Sequence, residues 1–128
     1  MLAACDIETS DNGDLDGFWQ LTAVDTLATG GHADMRTEGV FWAVQGRLLQ
    51  LKKDADCYFC HFKHADGLLT METLRLWSKE EQDPEVTDIA DVQPYGVNAF
   101  DEQFKVITLT SGRMVLESSL LRLSFRKY

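Results

Sequence analysis

The sequence predicts an all-β protein, a small up-and-down barrel of about eight antiparallel strands with one short helix or irregular loop near residues 83–92. Two observations support this fold class: short runs in which every second residue is apolar, and turn signals between successive runs. Most connections are too short to hold a helix, so we expect neighbouring strands to pair antiparallel through tight turns.

Eight segments have strand character. They are residues 18–25, 39–45, 47–53, 57–64, 68–76, 103–109, 113–117 and 120–127. In the last of them Leu121, Leu123 and Phe125 fall on one face, and polar residues alternate with them. Faces of this kind are expected to line the barrel interior. Turn residues separate several segments, at Gly46, Asp66-Gly67 and Ser111-Gly112.

The connection between the fifth and sixth segments breaks this rhythm. Asp83-Pro84-Glu85 is a helix-start pattern, with a side-chain acceptor at the cap, proline in the first turn and an acid near the positive end of the helix dipole. Val86, Ile89 and Ala90 then form one apolar stripe. The pattern predicts a short helix across a barrel mouth, followed by a turn at Pro94-Tyr95-Gly96, with an irregular loop as the alternative.

The composition is that of one globular domain. The chain has 128 residues, 45% of them apolar and 26% charged, which suits a single barrel domain over residues 17–128. Its net charge of −9 argues against nucleic acid as a partner, because phosphates would be repelled. Residues 79–102 hold eight acidic residues and one basic residue, and we expect these acidic loops to complement the basic last strand.

Residues 1–16 are predicted to lie outside the barrel as a flexible acidic tether. They include Leu2-Ala3-Ala4-Cys5, which resembles the lipobox of bacterial lipoproteins, where small residues precede a cysteine that carries diacylglycerol. Lipidation of Cys5 would also account for the odd number of cysteines. No basic start and apolar stretch precede the motif, so either the chain begins inside a longer precursor or the four-residue match is chance.

Four marks of the chain are shared with one known family: Leu2-Ala3-Ala4-Cys5, Gly17-x-Trp19, the segment from Asp83-Pro84-Glu85 to Tyr95-Gly96, and the ending Phe125-Arg126-Lys127-Tyr128. From Cys5 onward the chain resembles the lipocalin-like lipoproteins of Bacteroides-type Gram-negative bacteria. In lipocalins the glycine lets the chain enter the first strand, the tryptophan plugs the closed end of the barrel, and an arginine packs over the indole. The resemblance implies structural roles for Gly17 and Trp19, with Arg122 or Arg126 as the cation–π partner.

The resemblance also implies a location and a class of function. It implies a protein of the cell envelope, lipid-anchored through Cys5 to the outer membrane on its periplasmic or surface side, and Asp6 and Glu8 are similar to an acidic signal for export to the surface. It implies a calyx, and we expect a small apolar or amphipathic ligand in the barrel or at its mouth, the alternative being an interior filled by side chains. Six residues are predicted to line the cavity: Trp42, Tyr58, Phe62, Met71, Phe104 and Met114.

A different kind of site is suggested by Cys57-Tyr58-Phe59-Cys60-His61, which matches the Cys-x-x-Cys-His pattern of covalent haem attachment. Together with His64 these residues would also suit zinc. We favour neither haem nor metal, because successive side chains of the predicted strand point to opposite faces. A Cys57–Cys60 disulfide is disfavoured as well, since extended residues three apart lie about 10 Å apart at Cα. Cys60 is expected to be a buried apolar residue.

The alternative to a ligand-binding barrel is a packed interaction module of an envelope complex. The run 40–44, Val-Phe-Trp-Ala-Val, is apolar on both faces, so we expect another element, a protein partner or a homo-oligomer contact to cover its outer face. A nucleophile with a base, paired carboxylates and a phosphate-binding glycine loop are not found in a supporting context. The sequence therefore predicts a protein that is not an enzyme and needs no cofactor.

Overall fold

The computed structural model describes residues 13–78 and 82–128, so Cys5, Asp6 and Glu8 lie outside the described part of the chain. The described residues form the strands β1 (Gly17–Thr26), β2 (His32–Asp34), β3 (Val40–Gln45), β4 (Leu48–Lys53), β5 (Asp56–Ala65), β6 (Leu68–Leu76), β7 (Gln103–Leu109), β8 (Arg113–Glu117) and β9 (Leu121–Lys127). They also form short 3-10 turns at Gly13–Leu15, Ile89–Asp91 and Gln93–Tyr95. Among these described residues no helix has the length and apolar character needed to cross a membrane.

Eight of the strands close into an antiparallel barrel, which confirms the predicted fold class. Each strand from β3 to β8 pairs with the strand that follows it, and β9 returns to pair with β1 over residues 19–26. On its other edge, β1 pairs with β3 near Gly17 and with the short β2 near Ala23. The connectivity is a meander, and β2 is an addition to the closed barrel.

Strand alternation places large side chains inside the barrel. The register aligns Trp19 of β1, Trp42 of β3 and Leu51 of β4, and all three are fully buried. The Trp42 ring lies 4.9 Å from the Phe125 ring and 5.6 Å from the Phe104 ring, centroid to centroid. Side chains from β3, β7 and β9 therefore meet across the interior, as the period-2 pattern predicts.

The two ends of the barrel differ. One end carries the tight turns at Gly46 and Asp66-Gly67 and the 3-10 turn Gly13–Leu15. We name it the closed end, because the fully buried Leu15 lies there and its carbonyl accepts a 2.8 Å hydrogen bond from the indole Nε1 of Trp19. The opposite end, the mouth, carries the long connection from β6 to β7.

The helix predicted near residues 83–92 does not form, and the irregular alternative is the one observed. β6 and β7 pair only over residues 68–70 and 103–105, which leaves the mouth half of β6 without β7 as a neighbour. Residues 84–86 run along that edge and make two backbone hydrogen bonds of 2.9 Å with residues 74 and 76. Pairing with the open edge of β6 is more favourable than forming a helix here. An isolated helix of this length is unstable, and the backbone groups at the strand edge need hydrogen-bond partners.

The expected helix cap at Asp83 is also wrong. Asp83 has a φ of 42°, and its carboxylate accepts a 2.9 Å hydrogen bond from the Ser78 amide instead of capping a helix. The residue that caps is Asp88, whose carboxylate accepts from the Ala90 amide at 3.0 Å and begins the 3-10 turn Ile89–Asp91. The chain thus turns twice before it reaches β7.

The outer face of β3 is covered in part by the chain itself. Phe41 stacks on Phe18 of β1 at 4.7 Å, and the Tyr128 ring lies 5.1 Å from Phe41 and 5.9 Å from Phe18, centroid to centroid. We expected another element, a partner or a homo-oligomer contact to cover the outer face of residues 40–44. Tyr128 of the same chain covers part of that face.

Candidate functional site

The connection at the mouth, residues 82–102, reaches into the barrel, and we name it the mouth segment. Its Val92, Tyr95 and Val97 are buried, and the Tyr95 carbonyl accepts a 3.1 Å hydrogen bond from the indole Nε1 of Trp42. Gly96 has a φ of 92°, and a Cβ at this residue would lie 2.8 Å from the side chain of Leu123. The mouth segment therefore fills the mouth end of the barrel interior. At residue 96 only glycine fits, because any Cβ would collide with Leu123.

The six residues predicted to line a cavity lie in or beside this packed core. Tyr58 is half-buried, with its ring centroid 5.8 Å from that of Tyr95. The other five are buried: Trp42, Phe62, Met71, Phe104 and Met114. None of the six lines the surface clefts of about 610, 480 and 130 Å³ that the structure shows. Their contact with a ligand stays a prediction, while the largest of these clefts is built from other residues.

This cleft of about 610 Å³ opens at the mouth, between the end of β6 and the mouth segment, and we name it the mouth cleft. Leu74, Val86 and Phe100 give it apolar surface, and the phenyl ring of Phe100 belongs to a residue that is 41% exposed. Its polar lining consists of Thr73, Glu85, Thr87 and Asp101. Apolar walls with a few polar groups are typical of sites that bind small molecules.

A β-bulge shapes one wall of the mouth cleft. The pairing of β5 with β6 skips between Phe59 and His61, so that Thr73 and Leu74 both lie opposite Cys60. Thr73 has a φ of 46°, which is rare for a β-branched residue and is kept where the surrounding structure enforces it. Sequence reasoning missed this wall, because a threonine in an alternating strand carries no signal of a bulge.

The charges around the mouth cleft are mostly negative. Arg75 is engaged there, with its guanidinium 3.7 Å from the Glu85 carboxylate and donating at 3.1 Å to the Asp83 carbonyl. Asp101 adds a second carboxylate to the lining. The preceding residue, Phe100, is an exposed aromatic followed directly by two acidic residues, and this is the sequence signal that could have marked the cleft.

Glu102 is a buried carboxylate directly beyond the mouth cleft in the chain. The residue is 8% exposed, and its Oε1 atom has no hydrogen-bond partner. Burial raises the pKa of the Glu102 carboxyl above its ordinary value, and the charge of Asp101 adds to this, while hydrogen bonds from the Asn98 amide and the Ser118 hydroxyl oppose it. The neutral acid is therefore favoured in the folded protein relative to the unfolded chain.

Replacing Glu102 with glutamine should alter how stability depends on pH. Because the folded-state pKa is raised, the contribution of Glu102 is fully present below its unfolded value of about 4.5 and is lost as the pH rises through the folded value. The free energy of unfolding of the wild type should therefore fall, relative to Glu102→Gln, as the pH rises above about 4.5, as measured by urea denaturation. Parallel pH profiles for the two proteins would contradict the burial argument.

Comparison with known protein families identifies the fold. The family model described as the lipocalin-like domain matches residues 1–128. The chain belongs to this lipocalin-like family. Comparison with curated proteins yields no match.

Solved structures agree with the family. A lipocalin-like protein from Bacteroides uniformis has a TM-score of 0.67 and 23% identity, over 91% of this chain and 100% of that chain. A protein from Bacteroides eggerthii has a TM-score of 0.64 and 20% identity, over 88% of this chain and 98% of that one. A protein from Burkholderia xenovorans has a TM-score of 0.60 and 17% identity, over 98% and 87%. At these identities the likeness shows the shared fold.

The cation over the plug tryptophan of this lipocalin-like barrel is a lysine. Lys127 lies opposite Trp19 in the β1–β9 register, and its Nζ is 4.7 Å from the indole centroid. Gly17 leaves room for this side chain, since a Cβ there would lie 2.8 Å from Lys127 Cε. The predicted arginines are elsewhere: Arg122 binds Glu117 at 2.8 Å, and Arg126 donates to Gln20 at 2.7 Å. Both have the opposite strand parity to the inward Leu123 and Phe125.

The cysteine segment of the lipocalin-like barrel does not have the geometry of a haem or zinc site. Cys60 is buried in the core, Cys57 lines an outer cleft beside Phe18 and Phe41, and His61 is exposed. Both cysteines are free thiols, and burial raises the pKa of Cys60 to about 12. No group of three potential metal ligands occurs among the residues that the structure describes.

Proposed function

We propose that this lipocalin-like protein binds one small apolar or amphipathic molecule in the mouth cleft and catalyses no reaction on it. The mouth cleft is the observation that carries the proposal, because its volume of about 610 Å³ suits a small molecule. The barrel interior is occupied by buried aromatic and aliphatic side chains, and this supports a ligand site at the mouth over one along the barrel axis.

The lining of the mouth cleft supports an amphipathic ligand. Leu74 and Val86 are nearly or fully buried and form an apolar floor, while Phe100 stands at the edge with much of its surface exposed. Covering these groups removes apolar surface from water, and this favours binding. Thr73 and Thr87 supply hydroxyl groups that can accept or donate hydrogen bonds to a polar end of the ligand.

Phe100→Ala should weaken binding at the mouth cleft by about fivefold or more, because the phenyl ring is the largest exposed apolar group of its lining. The uncharged fluorescent probe N-phenyl-1-naphthylamine, titrated into the folded protein, reports the change through its emission. Ile107→Ala is the matched control, since Ile107 is 50% exposed but lies on β7 away from the cleft lining. An equal loss in both variants, or no probe binding to the wild type, would argue against the site.

We further propose that a lipid on Cys5 holds the protein to the outer membrane, on the periplasmic or surface side. Support comes from the Leu2-Ala3-Ala4-Cys5 motif and the acidic residues Asp6 and Glu8 that follow it. Two similar solved structures come from Bacteroides species, the group in which such lipoproteins are expected.

Cys5→Ser should release the protein from the membrane. Expressed in a Bacteroides host behind a lipoprotein signal sequence, the wild type is expected in the membrane fraction and Cys5→Ser in the soluble fraction, because the thiol that carries the lipid is gone. Cys57→Ser is the control, since this half-buried thiol lies on β5 and should leave fractionation unchanged. Identical fractionation of wild type and Cys5→Ser would count against the anchor.

A further inference from the structure

We propose that one outer face of the barrel docks on an anionic lipid surface and that the mouth cleft then faces away from the membrane. This face, which we name the outer band, crosses β8, β9, β1, β3 and β4. Its side chains are Arg113, Arg126, Gln20, Phe41, Lys52, Phe18 and Tyr128. The inference rests on the proposed lipid anchor, which brings the barrel to the membrane, and it adds the face that contacts the lipid.

The strand register places the cations of the outer band in one row. Arg113 lies opposite Arg126, which is opposite Gln20, and the row continues through Phe41 to Lys52. Opposite residues of an antiparallel pair project on the same face, and two like charges in that position repel each other. None of the ion pairs found among the described residues involves Arg113, Arg126 or Lys52. The three cations are therefore available to an external anion.

The acidic residues of the barrel lie away from the outer band. Its five strands contain two, Asp25 and Glu117, and both lie opposite Arg122, nearer the mouth. The mouth segment carries six acidic residues and neither lysine nor arginine. Although the net charge is −9, the charges are thus separated, and an anionic surface attracts the outer band while it repels the mouth.

The aromatic residues of the outer band favour lipid as the occupant. Tyr128 is 73% exposed, and its ring packs against Phe18 and Phe41, which are half-buried. The Nζ of Lys52 lies 5.9 Å from the centroid of the Phe18 ring. Aromatic rings beside lysine and arginine are typical of protein surfaces that lie in the head-group region of a bilayer, because one end of the side chain is apolar and the other is hydrated.

The start of the described chain lies at the edge of the outer band. The Lys127 Nζ donates to the Asp14 carbonyl at 3.1 Å, and the Tyr128 amide donates to the Phe18 carbonyl at 2.8 Å. Cys5 precedes Gly13 by eight residues, which span at most about 28 Å. A lipid on Cys5 would therefore keep the outer band close to the bilayer.

The mouth cleft lies on the other side of the barrel. One of its walls is the end of β6, and β6 is four strands from β1 in either direction around the closed sheet. Docking through the outer band therefore leaves the mouth cleft open to the solvent, where it can receive a ligand.

The test uses the full chain with Cys57→Ser, coupled through Cys5 to a maleimide lipid in nanodiscs. Cys60 is buried, so Cys5 is the thiol left to react. The discs contain phosphatidylcholine with about one-third phosphatidylglycerol and a gadolinium-chelating lipid, which broadens the amide signals of nearby residues. The strongest broadening is expected at residues 41, 113 and 126, and the weakest at residues 85–87 of the mouth cleft. Discs of phosphatidylcholine without the anionic lipid should abolish this difference.

Two double variants separate the outer band from a general effect of charge. Lys52→Gln with Arg113→Gln should lower the ratio of docked to undocked protein about tenfold or more, because each cation near an anionic surface contributes about fivefold. Lys63→Gln with Arg122→Gln is the matched control and should keep the docked state. It removes the same two residue types, but each of them is paired with a glutamate outside the band.

Equal broadening on all faces, broadening centred on another face, or the same loss in both double variants overturns the inference. Unchanged docking on neutral discs does so as well. Shifts of the band amides caused by Glu8→Gln in protein free of discs would show that the acidic start of the chain covers the band, which also overturns it. Because the lipid is attached chemically, these outcomes leave the anchor and the mouth cleft to their own tests.

Discussion

Trp19→Ala is expected to lower the free energy of unfolding by about 3–5 kcal/mol, the largest single loss that we predict for this barrel. Trp19 is fully buried at the closed end, where its indole donates to the Leu15 carbonyl and lies under Lys127. The substitution leaves a cavity, an unpaired carbonyl on the buried Leu15 and a lysine without its aromatic partner. Urea denaturation followed by far-ultraviolet circular dichroism measures the loss.

Trp77→Ala is the matched control for Trp19→Ala. Trp77 is 50% exposed and lies 5.5 Å from the ring of Phe59, centroid to centroid, so its removal should cost about 1 kcal/mol or less. Trp19→Phe should fall between the two, because it keeps much of the apolar volume but loses the hydrogen bond to Leu15. Similar losses for Trp19→Ala and Trp77→Ala would show that the closed end does not depend on the plug.

Gly96→Ala is expected to lower the free energy of unfolding by about 2–4 kcal/mol, an unusually large effect for the addition of one methyl group. Two physical causes act together. The φ of 92° disfavours any residue with a Cβ, and that Cβ would lie 2.8 Å from both methyl groups of Leu123 in the core. Thermal and urea denaturation give the loss, and amide exchange near Tyr95 shows whether the mouth segment has loosened.

Gly46→Ala separates the two causes. Gly46 also has a positive φ, 61°, but an added Cβ meets nothing within 4 Å there. Its loss should be about 1–2 kcal/mol, from the backbone alone, so the difference between the two variants measures the clash with Leu123. Equal losses in the free energy of unfolding for Gly96→Ala and Gly46→Ala would mean that the mouth segment can move away from β9 and does not pack tightly against Leu123.

Both predictions concern how the barrel is closed at its two ends. Trp19 and Leu15 close one end, and Tyr95, Gly96 and Val97 occupy the other. The proposed ligand site, the mouth cleft, lies outside this core, where Phe100 is exposed. We therefore expect Trp19→Ala and Gly96→Ala to lower the free energy of unfolding, and Phe100→Ala to weaken ligand binding with little effect on stability.

Much of the fold could be predicted from local sequence signals. Alternation in residues 120–127 identified β9 and its inward Leu123 and Phe125, and Asp66-Gly67 identified the β5–β6 turn. These predictions succeeded because the alternation of side chains along a strand and the conformational needs of a two-residue turn are properties of a few adjacent residues.

The site was harder to predict. The pattern Asp83-Pro84-Glu85 favours a helix locally, but the free edge of β6 captured residues 84–86. The arginine expected over Trp19 is replaced by Lys127, since Arg122 and Arg126 have the outward parity. The six predicted lining residues lie in or beside the core, and the bulge at Thr73 that shapes the mouth cleft left no mark in the sequence.

The sequence by itself determined the class of fold, the strands, most of the turns and the side chains that face inward, because strand period and turn chemistry depend on neighbours along the chain. Only the tertiary structure decided how the β6–β7 connection is used, which cation covers Trp19 and where an open cleft lies. Those features depend on which groups remain without partners once the barrel closes, such as the edge of β6 and the space beside Leu123, and they arise between residues far apart in the chain.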